Sequence, residues 1–403
     1  MRQVSKSFVG IIAVLLVVVS FSSGFLIGKQ TGVRSVVPAG EGKVIGTQET
    51  PAGLSKDVKF SLFWDVWNLI KDEYIDQPVS DKELFYGAMK GLVWSLGDQH
   101  SMYFDPEMAQ EFQEELSGSF EGIGAEIEVK DNQLQIVAPL PGSPAENAGL
   151  QALDKILMID GTDTAGLSVE EAVKLIRGKK GTIVTLNIFR EGWEEPKDYP
   201  ITRDEITINS VTYEMRDDGI AVITISFFNE DTSRLFADAS QKALAAGAKG
   251  IILDLRNDPG GYLTAAIEVA SYWVGRDVVL IEKVNDESQK TIGTGPAMLA
   301  GVPTVVLVNG GSASASEIVA GALQDHGVAT IVGEQTFGKG SVQDYRELPD
   351  GSSVKLTVAR WYTPNDRSID HEGITPDQLI ELSEEQFKAG LDPQMDKAVE
   401  LLK

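Results

Sequence analysis

The chain of 403 residues contains no cysteine. Disulfide frameworks, thiol nucleophiles and thiolate metal sites are therefore excluded. Histidine is nearly absent as well: His100, His326 and His371 are its only three, far apart, so the sequence offers no histidine cluster for a metal. Positive charge is scarce, with 35 lysines and arginines against 60 acidic residues and a net charge of −25. A body that acidic repels phosphate backbones, which argues against a nucleic-acid partner. No low-complexity tract and no fixed-period repeat occurs. What remains, 42% hydrophobic and 24% charged, has the composition of a folded protein with room for two or three domains.

Long apolar runs are scarce too, with one exception. The segment from Phe8 to Ile27, FVGIIAVLLVVVSFSSGFLI, carries no charge and follows Arg2 and Lys6. Its 20 residues, at about 1.5 Å of helical rise each, cover the ~30 Å hydrocarbon core of a bilayer. The cationic start keeps the N-terminus cytoplasmic and sends the remainder outward. A cleaved signal peptide is the competing reading, but no small-x-small site closes the run; Val37-Pro38-Ala39, the nearest imitation, lies beyond it. Residues 1–28 thus read as a cytoplasmic start and single-pass membrane anchor, with the rest of the chain extracytoplasmic. Residues 29–54, without periodicity, read as a linker.

Residues 55–105 form an N-terminal helical segment: Phe60, Phe63, Trp64, Trp67, Ile70 and Tyr74 recur every three or four positions. The capping box Ser80-Asp81-Lys82-Glu83 opens a second helix. Residues 60–104 hold 10 of the 30 aromatics, more apolar surface than two helices cover alone. These helices must pack on the body or on a second subunit, so a homo-oligomer built through them is expected. Residues 106–200 alternate short strands with glycines around one capped helix, SVEEAVKLIRG, that opens at Ser168. From 201 to 376 strands alternate with helices. The strands IAVITIS, GIILDLR and PTVVLVN lack in/out alternation, which predicts a mixed α/β domain whose sheet is covered by helices on both faces. Residues 377–403 read as a C-terminal helical tail.

Three glycine-rich turns follow strands in this region. Strand PTVVLVN runs into Gly310-Gly311-Ser312-Ala313-Ser314-Ala315-Ser316-Glu317 and then a helix, whose unsatisfied N–H groups suit a developing oxyanion. Alone, such a segment is more often a turn and a cap. The second turn, Thr336 to Gln343, frames Lys339 between Gly338 and Gly340; glycine allows close backbone approach, and a buried amine can titrate near neutrality. It is not a Walker loop, because no GxxxxGK[ST] precedes Lys339. The third turn, Asn257-Asp258-Pro259-Gly260-Gly261-Tyr262, closes GIILDLR. Strand ends and helix N-termini meet on one edge of a parallel sheet, so these turns can converge, and N–H groups of Ala315 and of Gly260 or Gly261 can form an oxyanion hole.

The segments GSASASEIVAGALQDHGVATIVGEQTFGKGSVQ and DLRNDPGG resemble the carboxyl-terminal processing proteases, the Ser/Lys peptidase family of tail-specific proteases. The resemblance runs from about Ser55 to Pro376. It implies Ser314 as nucleophile, Lys339 as general base 25 residues on, and Gln343 as the residue orienting the lysine amine, with no cofactor or metal. It also implies a protease core like the enoyl-CoA-hydratase fold and a PDZ domain at 106–200. There Gly122-Ile123-Gly124 precedes the strand AEIEV, and N–H groups in such a turn can bind a chain-terminal carboxylate while the substrate tail adds as a strand. Arg177 is the candidate for a contact by which the PDZ domain gates the active site. Asp325, at a position where some family members have an assisting aspartate, lies eleven residues along the helix, about 16 Å from Ser314, and so reads as structural.

Two decoys are set aside. Ser352 and Lys355 spell S-x-x-K, but residues three apart on a strand point to opposite faces. His326 stands at the end of the helix after Ser314, where a polar residue is common, and does not make a Ser-His-Asp triad. The expectation is a membrane-anchored serine endopeptidase that recognises protein C-termini; the alternative is an anchored PDZ scaffold that only holds partners. An enoyl-CoA-hydratase-like thioester enzyme would leave the PDZ unit unexplained.

Overall fold

The computed structural model describes residues 57–403, apart from 131, 286, 384, 387 and 388. The expected anchor (1–28) and linker (29–54) lie outside the described residues. Among the described residues no helix is long and apolar enough to cross a membrane.

Residues up to Val79 form a unit separate from the rest. Its helix α1, Ser61–Glu73, buries none of its residues; Phe60, Phe63, Trp64 and Trp67 stack mainly on one another. In the second unit, Ser80 caps helix α2, Asp81–Trp94, as its capping box predicts, and only Val93 of that helix is buried. Phe85, Leu92, Trp94 and Leu96 are exposed. Helix α3, Pro106–Ser117, lay hidden in the glycine-punctuated stretch. It stacks Phe112 on Phe104 and Tyr345, so its apolar face packs against the strand Ser341–Glu347 of the larger domain.

The next segment is an antiparallel sheet whose five main strands run in chain order, β1 Ala125–Lys130, β2 Gln133–Pro139, β3 Lys155–Ile159, β4 Ile183–Phe189 and β5 Lys197–Thr202, with the short strand Thr162–Asp163 paired to β3 as a sixth. Helix α4, Val169–Ile176, crosses between β3 and β4 in sequence and opens with the expected capping box at Ser168. Its Ala172 and Ile176 join Leu134, Ile136, Ile156, Val184 and Leu186 in a core of its own. Strand β1 ends the sheet with an unpaired edge. The short ladder of Ser119–Gly122 with Asp204–Thr207 ties the entry of this domain to its exit.

The larger domain is built on a six-stranded sheet. Its order is β6 Val211–Met215, β7 Ile220–Ile225, β8 Gly250–Asp254, β9 Thr304–Val308, β10 Thr330–Gly333 and, at the edge, β13 Gln378–Leu379. Only β6 is antiparallel. Odd and even residues of these strands are both apolar, and each set has its own cover. Ala221, Ile223, Leu253, Val306 and Val308 pack under helices α5 (Thr232–Ala245), α6 (Leu263–Val274) and α7 (Ala315–Asp325). Val222, Ile252, Val305, Leu307 and Val332 pack under helix α8, Pro393–Leu401, through Ala398 and Val399. A second sheet carries the hairpin of β11, Ser341–Glu347, and β12, Ser353–Tyr362.

The terminal stretch set apart in the sequence as a tail is therefore structural cover. Arg256, just beyond β8, fastens it: its guanidinium binds Asp254 at 2.7 Å and Asp392, the cap of α8, at 2.9 Å. A chain ended at residue 376 is expected to unfold without a cooperative transition and to bind a hydrophobic dye. A sharp thermal transition by circular dichroism, matching the full chain, would contradict this.

Candidate active site

Adjacent parallel strands place the three glycine-rich turns at one edge, because β8, β9 and β10 all point the same way. Paired asparagines lock the first two turns together. Asn309 accepts the Asn257 N–H at 2.8 Å and donates its amide to Asn257 at 2.9 Å. The Ser312 hydroxyl reaches the Leu255 carbonyl at 2.7 Å, and the Ala313 N–H donates to the Asp258 carbonyl at 3.0 Å. A Cβ on Gly260 would stand 2.8 Å from Ser314 Cβ and 2.9 Å from Ala315 N, so only glycine lets the turns close this tightly. The third turn joins through the Phe337 N–H, which donates to the Ser312 carbonyl at 3.0 Å.

Ser314 takes φ +53°, a strained value for a residue with a Cβ, at the sharp turn from strand to helix α7. Half-buried, it opens into a cavity of about 1120 Å³ that Lys339 and Gln343 also line. Behind it lies Glu317, fully buried and four times an acceptor. Its Oε2 takes the Ser314 N–H at 2.8 Å and the Lys339 N–H at 3.0 Å. Its Oε1 takes the Gly338 N–H at 2.7 Å and the Thr336 hydroxyl at 2.6 Å. Burial raises the Glu317 carboxyl above its ordinary range, and these four donors oppose that rise by favouring the charged form.

Lys339 is framed by glycines because the 370–373 backbone passes against both. A Cβ on Gly338 would meet the His371 carbonyl carbon at 2.9 Å, and one on Gly340 would meet Asp370 Cα at 2.7 Å. Trp361 donates its indole N–H to the Lys339 carbonyl at 3.0 Å. Burial pushes the Lys339 amine below the ordinary lysine value, the positive charge of Lys355 adds to the effect, and Glu317 opposes it. Lys355 itself lies over the rings of Phe112 and Phe104, 5.0 Å and 5.6 Å from their centres. Among the described residues no hydrogen bond joins Ser314 Oγ to Lys339 Nζ, and no carboxylate pairs with that amine. Gln343 follows a β-bulge and donates to the Ser341 hydroxyl at 2.8 Å rather than to Lys339.

The remaining candidates are placed as follows. The Gly260 N–H is engaged, donating to Asp258 Oδ1 at 2.8 Å, whereas the Gly261 and Ala315 N–H groups have no partner among the described residues. Gly122 ends its short strand, Ile123 is buried and Gly124 sits at φ +70° against Ser143. Neither Ile123 nor Gly124 spends its N–H on a partner among the described residues. Arg177, at the end of α4, lines the same cavity as Ser314. Its guanidinium lies 4.6 Å from the Phe120 ring centre and 3.7 Å from Glu114, and it makes no hydrogen bond to Ser314 or Lys339. Asp325 accepts the Asn365 N–H at 2.7 Å and pairs with Arg367, away from the cavity. His326 hydrogen-bonds the Val278 carbonyl at 2.7 Å, and Ser352 binds Asp350.

Sequence reasoning gave Glu317 no role and set Lys355 aside with the S-x-x-K decoy. Glu317 looked like the N3 partner of a helix cap, the commonest role for a glutamate three residues after serine; only the return of the 336–339 turn gives it further donors.

Comparison with known proteins identifies the family of the chain. A model of peptidase family S41 matches residues 219–380, and a PDZ domain model matches residues 111–189. The chain is 42% identical over 345 residues to the carboxy-terminal processing protease CtpA of Bacillus subtilis, across 85% of this chain and 73% of that protein. It is 38% identical over 345 residues to a carboxyl-terminal-processing protease of Synechocystis, across 83% of this chain and 81% of that one. A putative S41 protease from Bacteroides fragilis of known structure shares the fold at a TM-score of 0.53 and 17% identity, over 83% of this chain and 96% of that one.

Replacing Glu317 by Gln turns one acceptor oxygen into a donor facing two donors. The expected result is a loss of about 2 kcal/mol in stability and a fall in kcat of at least about tenfold with KM little changed. Denaturant unfolding with steady-state cleavage checks it; an unaltered kcat would contradict it.

Proposed function

This chain belongs to peptidase family S41 and is a serine-type C-terminal processing peptidase with a PDZ domain, and on that footing we propose that it cleaves internal peptide bonds of proteins held by their C-termini, through a Ser314–Lys339 dyad. The neutral Lys339 amine takes the hydroxyl proton as Ser314 Oγ attacks the peptide carbonyl. The Ala315 and Gly261 N–H groups hold the oxyanion, which leaves Gly260 to fix the turn. As the intermediate collapses, the lysine ammonium gives its proton to the departing amine. Water, deprotonated by the same lysine, then hydrolyses the acyl-enzyme. Gln343 orients the amine through its carbonyl oxygen, its amide already being held by Ser341.

The observation that best supports this reading is the shared cavity into which Ser314 and a half-buried lysine, with no carboxylate partner among the described residues, both open. The cavity also reaches Val169, Val173 and Arg177 of the PDZ helix. That continuity supports a tail that adds as a strand along β1, its carboxylate on the Ile123 and Gly124 N–H groups, with Arg177 at the passage to the dyad. Apolar tails suit the valines of α4. A membrane anchor over residues 8–27 and self-association through the exposed aromatics of the N-terminal helices complete the reading.

Lys339→Ala and Lys339→Arg are each expected to lower kcat by roughly 10²–10⁴-fold, arginine failing because it does not deprotonate. Unfolding curves should stay near wild type. A Lys339→Ala protein that releases fragments at the wild-type rate from an unstructured protein with an apolar tail would refute the base, and fragments persisting in Ser314→Ala would refute the nucleophile. Amidating the substrate's terminal carboxylate should raise KM while leaving kcat nearly unchanged; an unchanged KM would remove the PDZ tail site.

A further inference from the structure

The turn that carries Gly260 and Gly261 is held from beneath by Asp258, which is wholly buried. The Asp258 carbonyl accepts the Ala313 N–H and the Ser316 hydroxyl, each at 3.0 Å, both from the sharp turn around Ser314. Its Oδ1 accepts the Gly260 N–H at 2.8 Å, and its Oδ2, equally buried, has no partner among the described residues. The groups that face this carboxyl are the Gly260 N–H and the Ser316 hydroxyl. No charged side chain from β8, from α7 or from the turns packed against it bears on its titration. Ionised, it would be an uncompensated buried charge, and burial accordingly raises its pKa to about 8.

The position of that charge matters to the chemistry. Gly260 lies directly against Ser314 and Ala315, so the carboxyl that binds Gly260 stands behind the wall whose front receives the oxyanion.

We propose that Asp258 is a positioning residue for the hydrolysis, working as a neutral carboxylic acid that fixes the 257–261 turn, and that its ionisation shuts turnover down by setting a negative charge behind the oxyanion site. The inference rests on the dyad and oxyanion assignments above. It makes two titrations run in opposite senses: Lys339 must lose its proton, whereas Asp258 must keep its own. The rate therefore rises through the lysine titration and falls once the pH passes that of Asp258.

The test compares kcat/KM for the full chain and its Asp258→Asn variant between about pH 6 and pH 10. Asparagine keeps the oxygen that accepts the Gly260 N–H and does not ionise. Wild type should lose activity roughly tenfold per pH unit above the break, while the variant holds its rate. An equal alkaline fall in both, or none in wild type, would overturn the proposal. Thermal unfolding supplies a readout independent of cleavage. Between about pH 4 and pH 8 the native Asp258 binds a proton that the unfolded chain releases, so wild type loses stability across this window and the variant does not. The Tm gap in favour of Asp258→Asn should widen with pH; a constant gap, or a variant that fails to fold, would contradict a neutral acid. Should Ser314→Ala abolish cleavage while the two profiles fall alike, the role of Asp258 is lost and the dyad stands. Should Ser314→Ala still cleave, the dyad falls and this inference with it.

Discussion

One buried carboxylate organises the catalytic edge. Glu317 accepts the backbone N–H groups of both Ser314 and Lys339, together with those of Gly338 and the Thr336 hydroxyl. Two stretches of chain 25 residues apart are thereby fixed to a single rigid anion. A charge buried without partners would be prohibitive, but four donors satisfy both oxygens. The same charge opposes the depression of the Lys339 amine, so burial and Lys355 have to outweigh it. The proposed mechanism thus sets a carboxylate that positions both turns against an amine that has to be neutral.

Around that anion the fold supplies rigidity and access separately. Parallel strands covered on both faces deliver three turns to one edge, and the Asn257–Asn309 pair and the glycine contacts leave them little freedom. The antiparallel PDZ sheet has its own core, and the domain lines the cavity with Val169, Val173 and Arg177 of α4 and with Ser119 and Phe120 of its entry strand. Ser314 and Lys339 line this cavity without a hydrogen bond between them. Catalytic hydrogen bonds are often long before substrate binds, so this open geometry is compatible with the proposed dyad.

Much of this was legible in the sequence because it is carried by local chemistry. Apolar strands without alternation announced a doubly covered sheet, capping boxes at Ser80 and Ser168 placed two helix starts, and glycines around Lys339 signalled a close backbone neighbour. What was hidden depends on contacts distant in sequence. Helix α3 reads as polar until Phe112 meets Phe104 and Tyr345. The stretch after residue 376 reads as an appendage until Arg256 binds Asp392. Glu317 looks like a local cap, and the Gly260 N–H looks free until Asp258 turns back to take it. Motifs reveal which residue types assemble, whereas occupancy of each donor is set by the returning chain.

The central claim is that a neutral Lys339 activates Ser314, and the pH dependence of serine acylation tests it most directly. An activated ester should acylate Ser314 in a burst whose rise with pH follows a titration below the ordinary lysine value of about 10.4. In Lys339→Met that titration should vanish and the burst slow by orders of magnitude. A burst rate that titrates at the ordinary lysine value, or is unchanged without Lys339, would contradict the account.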